Sequence, residues 1–297
     1  MMGDTETHLP TIAYGAPMDQ LTGRTAVITG AASGIGAALA RRFASEGMKL
    51  VLADIEAGPL DVVAGELSGR GVEVATVVCD VSKGADVDHL AEVAVERFER
   101  VHLLCNNAGV GAGGMVAQMT EDDWAWVLGV NLCGVIHGLR AFLPGMLAHG
   151  EPAHVVNTAS VAGLVATPFM GAYNASKFAV VAISETLYHE MGLSGGTVGV
   201  SVLCPGWVNT RIHEASRNRP GVAPGATDGA SMLAGVLASG MAPERVAEEV
   251  HDAVVTNRFY VLTHPEMTPG IERRMKAIVE GANPEVSLGE LLGGSGQ

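Results

Sequence analysis

Tyr173 and Lys177 stand four residues apart in Ala172-Tyr173-Asn174-Ala175-Ser176-Lys177, a segment with a helical pattern. At that spacing two side chains share one helix face. The chain holds four tyrosines and only four lysines (Lys49, Lys83, Lys177, Lys276), so chance yields such a pair in roughly one sequence of this kind in twenty. Ser160 lies 13 residues before Tyr173, just past an apolar run, in Asn157-Thr158-Ala159-Ser160-Val161-Ala162-Gly163. The types suit proton transfer at an oxygen whose carbon gains or loses a hydride. A free phenol, with a pKa of about 10, is a poor base near neutrality. A neighbouring ammonium and an oxidised nicotinamide ring would both favour the phenolate. A serine hydroxyl beside it can hold the substrate oxygen as charge develops. Asn131, in Val130-Asn131-Leu132, interrupts an apolar helical pattern, either as a helix-bending core amide or as a fourth member of the group.

These residues need a frame. From residue 24 onward short β-branched runs alternate with helical stretches: Thr25–Thr29, Leu50–Asp54, Val72–Cys79, Val101–Cys105, His154–Thr158, Val198–Cys204 and Phe259–Leu262. Mostly continuous apolar runs are expected when helices cover both faces of a strand. Their alternation with helices predicts right-handed crossovers and a parallel sheet. The expectation is one doubly wound α/β domain over 21–263, preceded by a flexible arm (1–20) and followed by a helix near Ile271–Val279 and a Gly-rich tail (264–297). Residues 207–242 carry Pro220, Pro224, Gly221, Gly225, Gly229, Gly235 and Gly240 around an apolar stretch at Ala230–Ala238. They read as an irregular lid.

Directly after the first run comes Gly30-Ala31-Ala32-Ser33-Gly34-Ile35-Gly36, then an Ala-rich helix. Glycines there let backbone approach a pyrophosphate, which the helix N-terminus then faces. Alone this is also compatible with a plain turn. The second run ends at Asp54, 18 residues past Gly36, near where an acid should meet the adenosine ribose. A carboxylate accepts from both ribose hydroxyls and repels a 2′-phosphate, and neither Ser33 nor Ile55 offers a cation. NAD(H) is therefore expected over NADP(H). Asp80-Val81 and Asn107-Ala108-Gly109 end the third and fourth runs, at the strand ends where open α/β sheets bind ligands.

Thr29–Gly36, Asp80, Asn106–Gly109, Asn131, Ser160, Tyr173-x3-Lys177 and Pro205-Gly206-Trp207-Val208-Asn209-Thr210 together resemble the signature set of the short-chain dehydrogenase/reductase family, in its order and spacing over about residues 21–263. The resemblance implies a single Rossmann-type domain with a seven-stranded parallel sheet. It implies a catalytic tetrad of Asn131, Ser160, Tyr173 and Lys177, with Lys177 also gripping the nicotinamide ribose and Asn131 positioning a relay water. Pro205, Gly206, Val208 and Thr210 would bracket the nicotinamide carboxamide. With them, Gly30, Ser33, Gly34, Ile35, Gly36, Asp54, Ile55, Asp80, Val81, Asn107, Ala108, Gly109, Tyr173 and Lys177 complete the implied cofactor site. Family members are often homodimers or homotetramers built on helices corresponding here to about 120–148 and 173–191.

Composition narrows the rest. Of 297 residues 18 are basic and 32 acidic, a net charge of −14. With no concentrated basic face, nucleic acid is excluded as a partner. Cys79, Cys105, Cys133 and Cys204 stand singly, so buried free thiols are expected, with no metal site. Met1-Met2-Gly3-Asp4-Thr5-Glu6 lacks the base and apolar length of a signal peptide. No apolar stretch approaches the roughly 18 residues of a membrane span. A cytoplasmic enzyme acting on a small molecule is expected. Leu164, Val165, Met170, Trp207, Ile212, Met232, Leu233 and Gly111–Met115 would line its substrate pocket. Being apolar, they point to a hydrophobic alcohol or ketone. An NADP-using carbonyl reductase, a lyase or epimerase on the same fold, and a non-catalytic nucleotide-binding protein stay open as alternatives.

Overall fold

The computed structural model describes residues 15, 17–221 and 230–285. The elements run β1 (Thr25–Thr29), α1 (Gly34–Ser45), β2 (Lys49–Asp54), α2 (Ala57–Ser68), β3 (Val74–Val78), α3 (Gly84–Phe98), β4 (Leu103–Asn106), α4 (Glu121–Leu128), α5 (Gly134–Ala148), β5 (Ala153–Thr158), α6 (Gly171–Ser194), β6 (Val198–Cys204), α7 (Ala230–Ala238), α8 (Pro243–Thr256), β7 (Tyr260–Leu262) and α9 (Thr268–Glu280). All seven apolar runs form strands. They make one parallel sheet in the order β3-β2-β1-β4-β5-β6-β7. The order reverses between β1 and β4, which opens a crevice at their carboxyl ends.

Alternation within the strands feeds two cores. Ala26, Ile28, Leu50, Leu52, Leu103 and Cys105 pack with α1, α2 and α8 on one face. Val27, Val51, Ala53 and Leu104 pack with α3, α5 and α6 on the other. Successive side chains point to opposite faces, so a strand buried on both sides must be apolar throughout. Burying a side chain of leucine size contributes about 1.5–3 kcal/mol. The edge strand departs from this: β3 is shorter than the run Val72–Cys79, and Val78 is exposed.

Two further expectations need amending. The arm over residues 1–20 lies mostly outside the described residues, but its end is not loose. Met18 is fully buried among α1 and α8 side chains and its N–H reaches the Val254 carbonyl. Its apolar side chain anchors what the surrounding polar residues suggested was free. The continuous helical run Glu121–Ala148 is long and apolar enough, by length and composition, to cross a membrane. Averaging along a helix reveals this where a search for unbroken apolar residues does not. In the fold α4 and α5 lie against α3 and α6.

Candidate active site

The β1–α1 loop closes on the end of β4. A Cβ on Gly36 would stand 2.0 Å from the Gly30 carbonyl oxygen and 2.7 Å from Asn107 Nδ2, so that position admits no side chain. Gly30, at φ +67°, presses against Ala108 Cα in the same way. Thr29 stitches the two segments: its Oγ1 accepts from Asn107 N–H (2.9 Å) and Ala108 N–H (3.1 Å). Asn107 Nδ2 returns a bond to the Thr29 carbonyl at 3.0 Å. Ser33 precedes α1 without capping it by its side chain. Across the loop, Gly34 faces Thr210, whose Cγ2 would be 3.0 Å from a Cβ there. The Pro205–Thr210 turn thus meets the phosphate-type loop.

Asp54, at the carboxyl end of β2, accepts from Ala32 N–H (3.0 Å) and Glu56 N–H (2.9 Å). Burial pushes its carboxyl upward against those amide bonds. Ile55 is exposed beside it. Asp80 holds the Ser82 hydroxyl (2.6 Å) and amide (3.1 Å), turning the chain into α3. Burial alone would raise this carboxyl, but the Ser82 bonds and Lys83 hold it below its ordinary value. Val81 is buried under α5, where Gly134 leaves it room.

Asn131 is fully buried in a π-helical turn, Gly129–Cys133, between α4 and α5. Such insertions often mark functional sites. Its amide is satisfied on both sides: Oδ1 accepts from Val110 N–H at 2.8 Å, and Nδ2 donates to the Val110 carbonyl (2.9 Å) and Ser176 Oγ (3.2 Å). Ser176 in turn donates to the Tyr173 carbonyl at 2.7 Å. The helix-bending reading of Asn131 therefore holds. The π turn is the device that carries the amide to the first turns of α6.

Tyr173 and Lys177 occupy those first turns. Ser160, just past β5, donates to the Pro205 carbonyl (3.2 Å) and is in hydrogen-bonding contact with the Tyr173 hydroxyl. Lys177 is buried, its Nζ 2.9 Å from the Thr158 carbonyl and 5.6 Å from the Tyr173 ring centre. Burial lowers its ammonium to about 8. Burial likewise pushes the Tyr173 phenol up, opposed only by Ser160. A Cβ on Gly109 would lie 3.4 Å from Asn131 Oδ1 and 3.6 Å from Lys177 Nζ, so both polar ends face the bare glycine.

On the substrate side Leu164, Val165, Met170, Trp207 and Ile212 are half-buried. Gly114 bridges to Met170, and Phe169 is held at φ +64°, exposed with Met115 and Val116. The side chains of Met232 and Leu233, and residues Pro224, Gly225 and Gly229, lie outside what is described. Among the described residues no cluster of acids, histidines or cysteines could hold a metal ion. Sequence reasoning missed three contributors: Ser176, whose hydroxyl meets Asn131 from 45 residues away; Arg217, whose guanidinium grips Glu56 beside Asp54; and His264, beyond the expected domain limit.

Residues 24–221 match the family model for the short chain dehydrogenase. A dehydrogenase/reductase of CLA biosynthesis from Lactiplantibacillus plantarum is 35% identical over 271 residues, 88% of this chain and 95% of that protein. The C alpha-dehydrogenase of a Sphingobium species is 34% identical over 273 residues, 90% and 89% of the two chains. Among solved structures, a short chain dehydrogenase/reductase from Burkholderia phymatum, in complex with NAD, superposes with a TM-score of 0.88 at 48% identity, covering 91% of this chain and 99% of that one. Likeness of this breadth, carried by a shared seven-stranded sheet, makes the chain a member of the short-chain dehydrogenase/reductase family of oxidoreductases.

Proposed function

We propose that the protein interconverts a secondary alcohol and a ketone, of hydrophobic character, with NAD(H). The observation that carries this reading is the meeting of Tyr173, Lys177 and Ser160 at the carboxyl edge of the sheet, facing bare Gly109. The residues fit a dinucleotide. Gly30, Ser33, Gly34, Ile35 and Gly36 would hold the pyrophosphate, Asp54, Ile55, Asp80 and Val81 the adenosine. Asn107, Ala108, Gly109, Tyr173 and Lys177 would meet the nicotinamide ribose, and Pro205, Gly206, Val208 and Thr210 the carboxamide. Bound NAD(H) supplies the hydride acceptor or donor. The Burkholderia phymatum relative, solved with NAD, supports the choice.

In this reading the Tyr173 hydroxyl exchanges a proton with the substrate oxygen. Ser160 donates to that oxygen as negative charge builds on it. Lys177 steadies the phenolate and holds the ribose. The Asn131 side chain is already spent on Val110 and Ser176, so it serves the relay by fixing the π turn. Exposed Phe169, Met115 and Val116 at the rim favour an apolar substrate. The NADP alternative has one observation in its favour: Arg217 stands within electrostatic reach of Asp54, though Glu56 occupies it. We also propose a homodimer or homotetramer through α4–α5 and α6, since Ile136 and Leu147 stand exposed on α5. A cytoplasmic setting agrees with four free cysteines.

The test is NADH absorbance with a panel of secondary alcohols and ketones. Tyr173→Phe should lower kcat at least about 100-fold while NADH binding stays within a few-fold. Retention of more than about a few per cent of wild-type turnover removes Tyr173 as the acid/base.

A further inference from the structure

Strands β6 and β7 pair with Cys204 beside Leu262. The residues that follow therefore leave the sheet side by side, Pro205-Gly206 from one strand and Thr263-His264 from the other. His264 is buried, 7% exposed. Its Nδ1 lies 3.0 Å from the Gly206 nitrogen and its Nε2 3.0 Å from the Trp207 carbonyl oxygen. An amide N–H only donates and a carbonyl only accepts, so these contacts fix the ring as the neutral tautomer protonated on Nε2. Thr263 Oγ1 sits 2.7 Å from the same Nδ1. A Cβ on Gly206 would stand 2.8 Å from His264 Cγ and 2.7 Å from Met267 Sδ, so ring and turn meet with no side chain between them.

We propose that His264 is a positioning residue of the cofactor site, clamping the Gly206-Trp207 turn at one backbone atom of each of these two residues and so fixing the wall offered to the nicotinamide carboxamide. This rests on the reading of Pro205, Gly206, Val208 and Thr210 as that wall. The Trp207 carbonyl also accepts from Met241 N–H at 2.9 Å, so both its lone pairs are used. A turn held this way pays little ordering entropy when it receives a ligand. The imidazole needs no contact with the ligand to act.

The test measures dissociation constants of NADH and of ADP-ribose, which lacks the nicotinamide, on the full chain by titration calorimetry. His264→Ala should weaken NADH about tenfold or more, the effect of losing one to two hydrogen bonds, and ADP-ribose less than about twofold. His264→Asn, whose Oδ1 can take the place of Nδ1 toward the Gly206 N–H but whose Nδ2 falls short of the Trp207 carbonyl, should recover part of that loss, binding NADH more tightly than the alanine variant. Should the alanine variant fail to fold, His264→Gln takes its place. Its amide reaches the Trp207 carbonyl but leaves the Gly206 N–H unpaired, and the same selective loss is expected. Equal weakening of both ligands shows a merely structural histidine and overturns the proposal. Thr210→Ala separates the two layers. NADH weakened by Thr210→Ala but not by His264→Ala ends the inference alone, whereas no change in either ends the carboxamide-wall reading beneath it.

Discussion

Arg217, on the short helix Ile212–Asn218 that follows the Pro205–Thr210 turn, grips Glu56 at the head of α2 through Nη2 at 2.6 Å and Nε at 3.1 Å. Both side chains are about three-quarters withdrawn from solvent. The guanidinium holds the Glu56 carboxyl below its ordinary value. Glu56 lies two residues past Asp54, so two acids and one cation share the corner proposed for the adenosine ribose. If Glu56 keeps Arg217 from a 2′-phosphate, Glu56→Gln should release it and raise kcat/KM with NADP about tenfold, leaving the NAD value within about threefold. Asp54→Ala should narrow the NAD preference from the other side by weakening NAD. Glu56→Gln with Arg217→Ala should cancel the gain. An unchanged cofactor ratio in Glu56→Gln would mean that Arg217 cannot reach the phosphate.

Lys177 carries a cost that its chemistry explains. Burial lowers its ammonium from 10.5 to about 8, so between those values the unfolded chain binds more protons than the folded one. Stability therefore rises with pH across that window, and the penalty is fully present below about 8. Lys177→Met should abolish turnover yet raise the stability of the cofactor-free protein at pH 7 by on the order of 1–3 kcal/mol, less what the unpaired Thr158 carbonyl costs. The gap between variant and wild type in thermal or urea melts should shrink from pH 8 toward 10.5. A gap that does not change with pH would refute the buried-ammonium account.

Two glycines of the site should fail in different ways. A Cβ at Gly36 meets the Gly30 carbonyl at 2.0 Å, backbone that cannot step aside. Gly36→Ala should destabilise the fold by several kcal/mol, on the order of the larger overpacking penalties. A Cβ at Gly109 meets Asn131 and Lys177 at ordinary distances, 3.4 and 3.6 Å. Gly109→Ala should melt within a few degrees of wild type and lose about tenfold or more in NADH affinity, because the methyl fills space proposed for the cofactor. Calorimetry and titration of the two variants decide this. Normal NADH binding by Gly109→Ala would place the nicotinamide elsewhere.

Much of this was legible beforehand because local chemistry dictated it. Val27, Val51 and Leu104 are buried on a two-sided sheet, so their runs are apolar without alternation. The Tyr173-Lys177 spacing is a helical turn, and α6 begins two residues before Tyr173. What escaped notice depends on strand order. His264 meets Gly206 only because β7 lies beside β6 in a register that no local pattern encodes. Arg217 meets Glu56 across 161 residues, with nothing in either neighbourhood to announce a partner. Met18 misled through its surroundings: one apolar residue among polar ones reads as exposed until helices are there to bury it. Asn131 was ambiguous because a lone amide in an apolar pattern does not reveal the π turn that places it.

Among the described residues, the segment from Trp207 to Met241 is tied at its root and strapped further out at Arg217 and Arg219. Val208 bridges to Met241, Asn209 N–H reaches the Met241 carbonyl at 2.9 Å, and Met241 N–H reaches the Trp207 carbonyl at 2.9 Å. Further out, Arg217 holds Glu56 on one wall while Arg219 holds Asp123, in the capping box of α4, on the other at 2.5 Å. Pairs this far withdrawn from water are screened less than exposed ones, so they bias the segment toward the closed position. We propose that the segment serves as a lid, and lids exclude water and often govern product release. Hydrogen exchange across 210–219 should slow when NADH and a substrate analogue are present. Arg219→Ala should speed it and raise KM for the ketone several-fold without changing NADH affinity, whereas Arg217→Ala should act mainly through the cofactor. Met232→Asp or Leu233→Asp should raise KM for hydrophobic ketones in the same selective way. Exchange that is identical with and without ligands, together with unaltered KM in all of these variants, would show a fixed element remote from the substrate.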